Sequence, residues 1–280
     1  MPYLIPLSLL LLLINPITSW ADEEKVIRIP PQSLAQWYKP DNKRQVWLHT
    51  MFRLRREMQA VKEYAAQGDM AGVQKWGQRL VDDYRKIPEM VPEWDDEVEL
   101  EWADHLEGAI QNADLEKVAR ATKKLGNSCN ACHREYRPLV AALYRTPDYS
   151  KLTVAWGENT TLKFTEAMAQ LSQLVNRIKI ATEDGSQARA LEALGQLQQG
   201  LGDLGTSCDR CHQDSQPKER ILGAHTQELL EQLEVSIKEG EKKQTGRLLG
   251  KAAVVACARC HGVHRTLGNL KTFLEPPDQN

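Results

Sequence analysis

Six cysteines occur in the sequence, and they form three pairs with the same spacing. Each pair has the pattern Cys-x-x-Cys and is followed directly by a histidine. Residues three and four apart share one face of an α-helix, so the thiols and the imidazole of one motif point to the same side. This pattern is typical of c-type haem attachment, in which the thiols bond to the porphyrin and the histidine coordinates the iron, and it predicts three haem c groups. The motifs are Cys129, Cys132 and His133; Cys208, Cys211 and His212; and Cys257, Cys260 and His261.

Two other uses of paired cysteines fit the sequence less well. A structural zinc site needs four converging ligands, and three pairs with three adjacent histidines do not divide into tetrahedral sets. A redox-active Cys-x-x-Cys is typical of a βαβ context, whereas this chain is rich in helix-forming residues and poor in β-branched runs. Haem attachment is therefore the favoured interpretation.

The start of the chain predicts export. Residues 1–21 contain no Asp, Glu, Lys or Arg, and an apolar run precedes small residues at Ser19 and Ala21. We expect a signal peptide over 1–21, cleaved after Ala21, and a periplasmic mature protein. The apolar run of roughly 12 residues is shorter than the ~20 needed to span a bilayer, so no transmembrane segment is expected after cleavage. The net charge of −2 over 280 residues gives no basic face for nucleic acid.

The motifs must be positioned by helices, because apolar residues recur three and four apart through most of the chain. The predicted fold is all-α, with two halves that each resemble a four-helix bundle. The expected divisions are an extended lead-in over 22–41, a mono-haem bundle over 42–146 and a di-haem bundle over 147–280. The second bundle is expected to start with a long helix from about Tyr149 to Thr182. A short connection from Pro138 to Ser150 is expected to bring all three haems together at the junction.

The segment "CNACHREYR", from Cys129 to Arg137, resembles the haem motif of cytochrome c′ and other class II c-type cytochromes. Arg44 and Gln45 match a pair that this family has near the start of its first helix. The resemblance covers 42–137 and implies a four-helix bundle that transfers electrons or binds a small gas. The second half has "CHQDSQ" and "CHGVHR" in place of the Tyr-Arg tail. A homodimer is compatible with the resemblance, because family members often associate through their first helices.

The first iron has two candidates for its open side. A helix rise of 1.5 Å per residue places His49 level with His133, whereas His105 lies roughly 18 Å above it. His49 is therefore expected to coordinate the first iron. The alternative is a five-coordinate iron capped by Leu48, because the residue that faces the iron in the resembling family follows the matching arginine by four.

The second and third irons have their own candidates. The second and fourth helices of the second half are expected to end at the same end of that bundle, so their two haems lie together. His225 begins the helix between them, and His264 lies three residues after His261 on the same helical face. His264 is badly placed for the iron of His261 but can reach a neighbouring one. His225 and His264 are therefore expected to serve the second and third haems.

These features predict an exported tri-haem c-type cytochrome that transfers single electrons between periplasmic or membrane redox partner proteins. It is not expected to be an enzyme, because no Ser-His-Asp set, phosphate-binding glycine loop or paired carboxylate stands out. The alternative function is binding or sensing of nitric oxide or carbon monoxide at the first haem, which requires a five-coordinate iron there.

Overall fold

The computed structural model describes residues 26–212 and 214–275, and within them the chain is helical except for one two-stranded sheet and its connections. The prediction of an all-α fold is confirmed. The predicted signal peptide over 1–21 lies outside the described residues. Within the described ranges, none of the helices combines the length and apolar character needed to cross a membrane.

The first bundle consists of four antiparallel helices around one apolar core. Its turns follow local rules: Gly68 ends α1 in the left-handed conformation with φ 72°, and the carboxylates of Asp69 and Asp114 accept hydrogen bonds from the first turns of α2 and α4. The helices are α1 (Val46–Gln67), α2 (Met70–Met90), α3 (Leu100–Gln111) and α4 (Leu115–Arg145).

The lead-in differs from the extended segment that was predicted. It contains a 3-10 helix over Gln32–Trp37, whose Leu34 is fully buried in the core of the first bundle. The indole N–H of Trp37 donates to the carbonyl oxygen of Met90 at 2.8 Å, and the hydroxyl of Tyr144 donates to that of Pro30 at 2.6 Å. Burial of Leu34 and these two bonds hold the segment against the bundle.

Helix α4 is longer than predicted, and this changes the junction between the halves. The sequence places a connection at Pro138, but the helix continues through this proline to Arg145. Val140 and Leu143 are buried beyond it, so packing offsets the backbone hydrogen bond that proline cannot donate. The first haem motif therefore lies within the helix, with about three further turns, roughly 18 Å, between His133 and the end of α4.

The second half packs its helices around a separate apolar core. Within that core the hydroxyls of Ser236 and Thr245 pair at 2.9 Å, which satisfies two buried polar groups. Its elements are β1 (Thr153–Trp156), β2 (Thr160–Lys163), α5 (Phe164–Glu183), α6 (Gln187–Cys208), α7 (Gln216–Leu222), α8 (Ala224–Lys238), α9 (Lys242–Ala252), a π-helical segment (Ala253–Ala258) and α10 (Arg259–Leu274).

The prediction of a helix starting near Tyr149 is wrong, because β1 and β2 form a hairpin there and α5 begins at Phe164. Gly157 makes the turn with a φ of 64°, a conformation that glycine adopts without steric cost. Val154 is fully buried, and the ring of Trp156 lies against Gly200 of α6. A β-branched and aromatic strand that packs on a helix thus replaces the first turns of the predicted helix.

The two halves meet where α10 packs against α4. The ammonium group of Lys271 donates to the carbonyl oxygens of Leu143 at 2.9 Å and Thr146 at 3.2 Å. These carbonyls belong to the C-terminal end of α4, so the side chain of Lys271 binds the backbone acceptors that the end of a helix leaves free.

Candidate functional site

None of the six cysteines forms a disulfide within the described residues, and all except Cys211 are partly buried. Burial raises the pKa of five of them, which makes these thiols poor thiolates. Redox-active pairs have the opposite property, since their reactive thiol has a lowered pKa. The thiol environment therefore argues against the redox interpretation of these pairs. The five residues with a raised pKa are Cys129, Cys132, Cys208, Cys257 and Cys260.

The zinc interpretation also lacks a ligand set in the described residues. No group of three or more His, Cys, Asp or Glu side chains is placed there to hold a metal ion. The three Cys-x-x-Cys pairs lie in different parts of the fold: within α4, across the C-terminal end of α6, and across the boundary between the π-helical segment and α10.

The first motif lies on the inner side of α4, where Cys129 and Cys132 pack against the core of the first bundle. A cavity of about 430 Å³ opens beside it between α1 and α4. Small residues such as Ala65, Ala119 and Gly126 line this cavity, together with Asn130 from within the motif. Its volume is in the range of cofactor pockets, and of the first motif's residues it is Asn130, between the two cysteines, that lines it.

A polar cluster lies on the side of the first motif that faces away from this cavity. The guanidinium of Arg28 forms ion pairs with Glu97 and Glu135, and the hydroxyl of Tyr136 donates to Glu97 at 2.7 Å. Burial, together with the negative charges of Glu97 and Glu135, raises the pKa of Cys132 to about 11. Sequence reasoning missed Arg28, because it lies 107 residues from Glu135 in a segment read as an extended lead-in.

The structure distinguishes the two candidates for the open side of the first iron. The side chain of His49 is exposed at the start of α1, whereas Leu48 packs against the core of the first bundle. His105 is also exposed on α3, where its ring contacts Trp102 at 4.9 Å between centres. Of these residues, Leu48 is the one that faces inward.

The second motif is braced by the β-hairpin. Arg210, between Cys208 and Cys211, donates from its guanidinium to the carbonyl oxygen of Thr153 at 3.0 Å. The backbone N–H of Gly157 donates to the carboxylate of Asp203 at 2.9 Å, one turn before the motif. The hairpin therefore holds the end of α6, although the sequence reading placed a helix there.

The third motif lies across a change in helix type. Cys257 is in the π-helical segment, whereas Cys260 and His261 begin α10. A π-helical turn is wider than an α-helical turn, so it rotates all following side chains about the helix axis. Such segments are frequent at functional sites, and periodicity counted at 3.6 residues per turn does not reveal them.

The second and third motifs are brought together. The ring centres of His212 and His264 lie 5.9 Å apart, with an angle of 70° between the ring planes. Burial and the neighbouring His212 lower the pKa of His264, which favours the neutral imidazole that binds a metal. The thiol of Cys208 is close enough to Cys260 to influence its ionisation.

Tyr149 lies at the centre of this cluster, and sequence reasoning did not identify it. Its hydroxyl forms a hydrogen bond with Nδ1 of His264 at 2.9 Å. Burial and the nearby thiols of Cys211 and Cys260 raise the pKa of this hydroxyl to about 12. The signal in the sequence is faint: a single tyrosine in the connection between the halves, 115 residues from its partner.

His225 is not joined to the motifs in the same way. It is exposed in the first turn of α8, and none of the hydrogen bonds or ring contacts found within the described ranges connects it to a motif residue. Its role as an iron ligand stays a prediction.

The part of the chain that carries the first motif is also the part that matches a known protein family. Residues 96–137 match the family model of cytochrome c′. This segment contains α3 and the part of α4 that includes Cys129, Cys132 and His133. The match supports a cytochrome c′-like haem site in the first bundle, and the second bundle lies outside it. No curated protein and no solved structure was found to match the chain.

Proposed function

We propose that the chain is an exported tri-haem c-type cytochrome that carries single electrons between redox partner proteins and is not itself an enzyme. Haem-binding by the first bundle is supported by the cytochrome c′ match at 96–137. The second and third haems are supported by two further complete motifs. The observation that carries the proposal is that His212 of the second motif meets His264, which follows the third motif by three residues.

The residues of each motif have defined roles in this proposal. Paired thiols would hold each haem covalently, and His133, His212 and His261 would each donate a ring nitrogen to an iron. When bound, haem c supplies one-electron redox chemistry at its iron. The protein tunes that chemistry through the axial ligands, burial and hydrogen bonds. At the first site, Lys62 and Lys123 line the cavity beside the motif and would suit the anionic propionates of a haem.

The spacing of two imidazoles supports six-coordination at the second site. With metal–nitrogen bonds of about 2 Å, two imidazoles on opposite sides of one metal have ring centres about 6 Å apart. His212 and His264 have this separation, at 5.9 Å. His264 follows the motif histidine of the third site, so α10 would attach one haem and complete the coordination of its neighbour.

The second and third motifs lie together, and the first motif lies apart from them. The second and third motifs meet around Tyr149. The first motif lies further away, because α4 continues for about three turns beyond His133. We propose that the contact between α4 and α10 provides the path by which electrons pass between the first site and the pair.

Intact mass and redox titration test this function. The mature chain, produced with c-type haem maturation, should exceed its polypeptide mass by three haem groups. A redox titration should show three reversible one-electron steps, and the reduced protein should be reoxidised by a protein oxidant without consuming any small substrate. An excess of only two haem groups, or turnover of a small substrate, would contradict the proposal.

The position of Leu48 favours a second function at the first site. Leu48 packs inward and His49 is exposed, so an iron held by His133 would meet an apolar side chain of α1 in place of a sixth ligand. An open, apolar iron site suits a small uncharged gas such as nitric oxide or carbon monoxide. Addition of carbon monoxide to the reduced protein should then change the spectrum of one haem in three. An unchanged spectrum would rule out gas binding and leave electron transfer as the proposed function.

A further inference from the structure

The hydrogen bond between Tyr149 and His264 lies directly behind the proposed axial pair. The hydroxyl oxygen of Tyr149 is 2.9 Å from Nδ1 of His264. A neutral imidazole carries one proton, so a nitrogen that donates a hydrogen bond leaves the other nitrogen with its lone pair. If Nδ1 donates to the hydroxyl oxygen, Nε2 is the nitrogen available to a metal.

The ring of Tyr149 is held from two sides. It packs against Phe164 at the start of α5, with ring centres 5.1 Å apart. On the other side it lies against Gly268 of α10, where a Cβ atom would be only 3.0 and 3.1 Å from two ring carbons. Gly268 follows His264 by one helical turn on the same face, so the absence of a side chain there allows the tyrosine to reach the imidazole.

The connection that carries Tyr149 is fixed to the same helix by a second contact. Lys271 of α10 donates to the carbonyl oxygens of Leu143 and Thr146, just before Tyr149 in the chain. The end of α4, the connection and α10 are therefore linked at Lys271, Gly268 and His264 along successive turns of α10. This arrangement leaves the hydroxyl of Tyr149 little freedom to move away from Nδ1.

We infer that Tyr149 is a positioning residue, which holds His264 opposite His212 and tunes the potential of the second haem; this rests on the proposed axial pair. Histidines that bind metals usually donate their second N–H to a fixed acceptor, which orients the ring and raises its basicity. A more basic axial ligand favours the oxidised iron. The hydrogen bond to Tyr149 therefore lowers the reduction potential of this haem.

The test compares four variants of the holoprotein. In Tyr149→Phe the ring contacts with Phe164 and Gly268 remain and only the hydroxyl is lost. We expect unchanged haem content, a low-spin second iron, a more positive potential for one haem, and faster replacement of the histidine ligand by cyanide. Tyr144→Phe is the matched control, since its hydroxyl binds the carbonyl oxygen of Pro30 in the first bundle and its loss should leave all three potentials unchanged.

His264→Ala separates this inference from the proposed function. It should convert one low-spin iron to high-spin, and an unchanged low-spin count would overturn the axial pair and the role of Tyr149 together. If His264→Ala does change the count but Tyr149→Phe shifts neither potential nor cyanide rate, the axial pair stands and the positioning role is wrong. Gly268→Ala gives an independent check, because it presses on the tyrosine ring and should shift the same potential.

Discussion

The imidazole of His212, in the second motif, and that of His264, three residues after the third motif, have ring centres 5.9 Å apart and ring planes at 70° to each other. One ring follows the cysteines at the end of α6, and the other lies one turn into α10. A change in the position of either helix would alter this distance. The second and third sites are therefore mechanically connected, and we expect their redox properties to be coupled.

Replacement of His264 and of a distant histidine should have opposite outcomes. His264→Ala should yield one additional high-spin iron per chain, because it removes the proposed sixth ligand of the second haem. His105→Ala is the matched control: His105 is exposed on α3 and contacts Trp102 and Glu101. Electron paramagnetic resonance of the oxidised protein counts the two spin states. A high-spin signal of equal size in both variants would mean that the signal reports general disruption.

His225→Ala tests the remaining predicted ligand in the same experiment. A further high-spin iron would assign His225 to the third haem, and an unchanged spectrum would remove it from the set of ligands.

The haem motifs and most helices could be predicted from the sequence, because both depend on short-range spacing. Cys-x-x-Cys-His is complete within five residues. Gly68 and Asp114 lie at helix ends, where local propensity favours glycine and aspartate. These features need no knowledge of which segments pack together.

The features that could not be predicted all depend on tertiary contacts. Helix α4 continues through Pro138 because the residues beyond it are buried, which local propensity does not reveal. The hairpin of β1 and β2 depends on the packing of Trp156 against α6. The π-helical segment before α10 breaks the periodicity on which the reading of the third site relied. The partner of His264 lies 115 residues away, beyond any local pattern.

Leu48 and His49 make the coordination of the first iron testable. Leu48→Ala should speed the binding of carbon monoxide to one reduced haem several-fold, because it removes an inward-facing apolar side chain. His49→Ala should leave that rate unchanged, because the imidazole is exposed. Flash photolysis of the carbon monoxide complex measures both rates. If carbon monoxide binds only after His49→Ala, then His49 is the sixth ligand and the gas-binding proposal is wrong.

The stability of the first bundle should depend on the charge of Glu57. This residue is 4% exposed, and its Oε2 has no hydrogen-bond partner among the residues that the structure describes. Burial and the neighbouring carboxylate of Asp83 raise the pKa of Glu57 from 4.5 to about 7, although Arg53 and Arg56 lie near. The pKa of Asp83 is lowered: burial opposes this, but a hydrogen bond from Lys86 and the charge of Arg53 outweigh it.

The sign of the pH dependence follows from the raised pKa. The folded state keeps the proton on Glu57 up to about pH 7, whereas the unfolded chain loses it near 4.5. This contribution to stability is complete below the unfolded pKa and is lost as the pH rises through the folded pKa. Between pH 4.5 and about 7 the denaturation midpoint should fall as the pH rises. Glu57→Gln, which cannot ionise, should make this fall smaller. The same slope in the variant and the parent would show that other groups cause the dependence.

Two glycines of α6 provide a matched test of how the hairpin packs on the second bundle. A Cβ atom at Gly200 would lie 2.5 and 2.9 Å from two ring carbons of Trp156 and 3.0 Å from Leu171, whereas one at Gly195 would meet nothing within 4 Å. Gly200→Ala should therefore lower the free energy of unfolding by about 1–3 kcal/mol, the usual cost of overpacking. Gly195→Ala should leave it unchanged or raise it by up to about 1 kcal/mol, because alanine favours helix more than glycine does.

Denaturant titration of the two holoproteins, followed by circular dichroism, compares their stabilities. Because the substitution is the same and both sites are on one helix, the difference between the variants reports the contacts at Gly200, of which those with Trp156 are the shortest. The hairpin also holds Arg210 of the second motif through the carbonyl oxygen of Thr153. Gly200→Ala should therefore also disturb the spectrum of one haem, and Gly195→Ala should not. Equal stability and equal spectra in the two variants would show that Trp156 is not packed against α6.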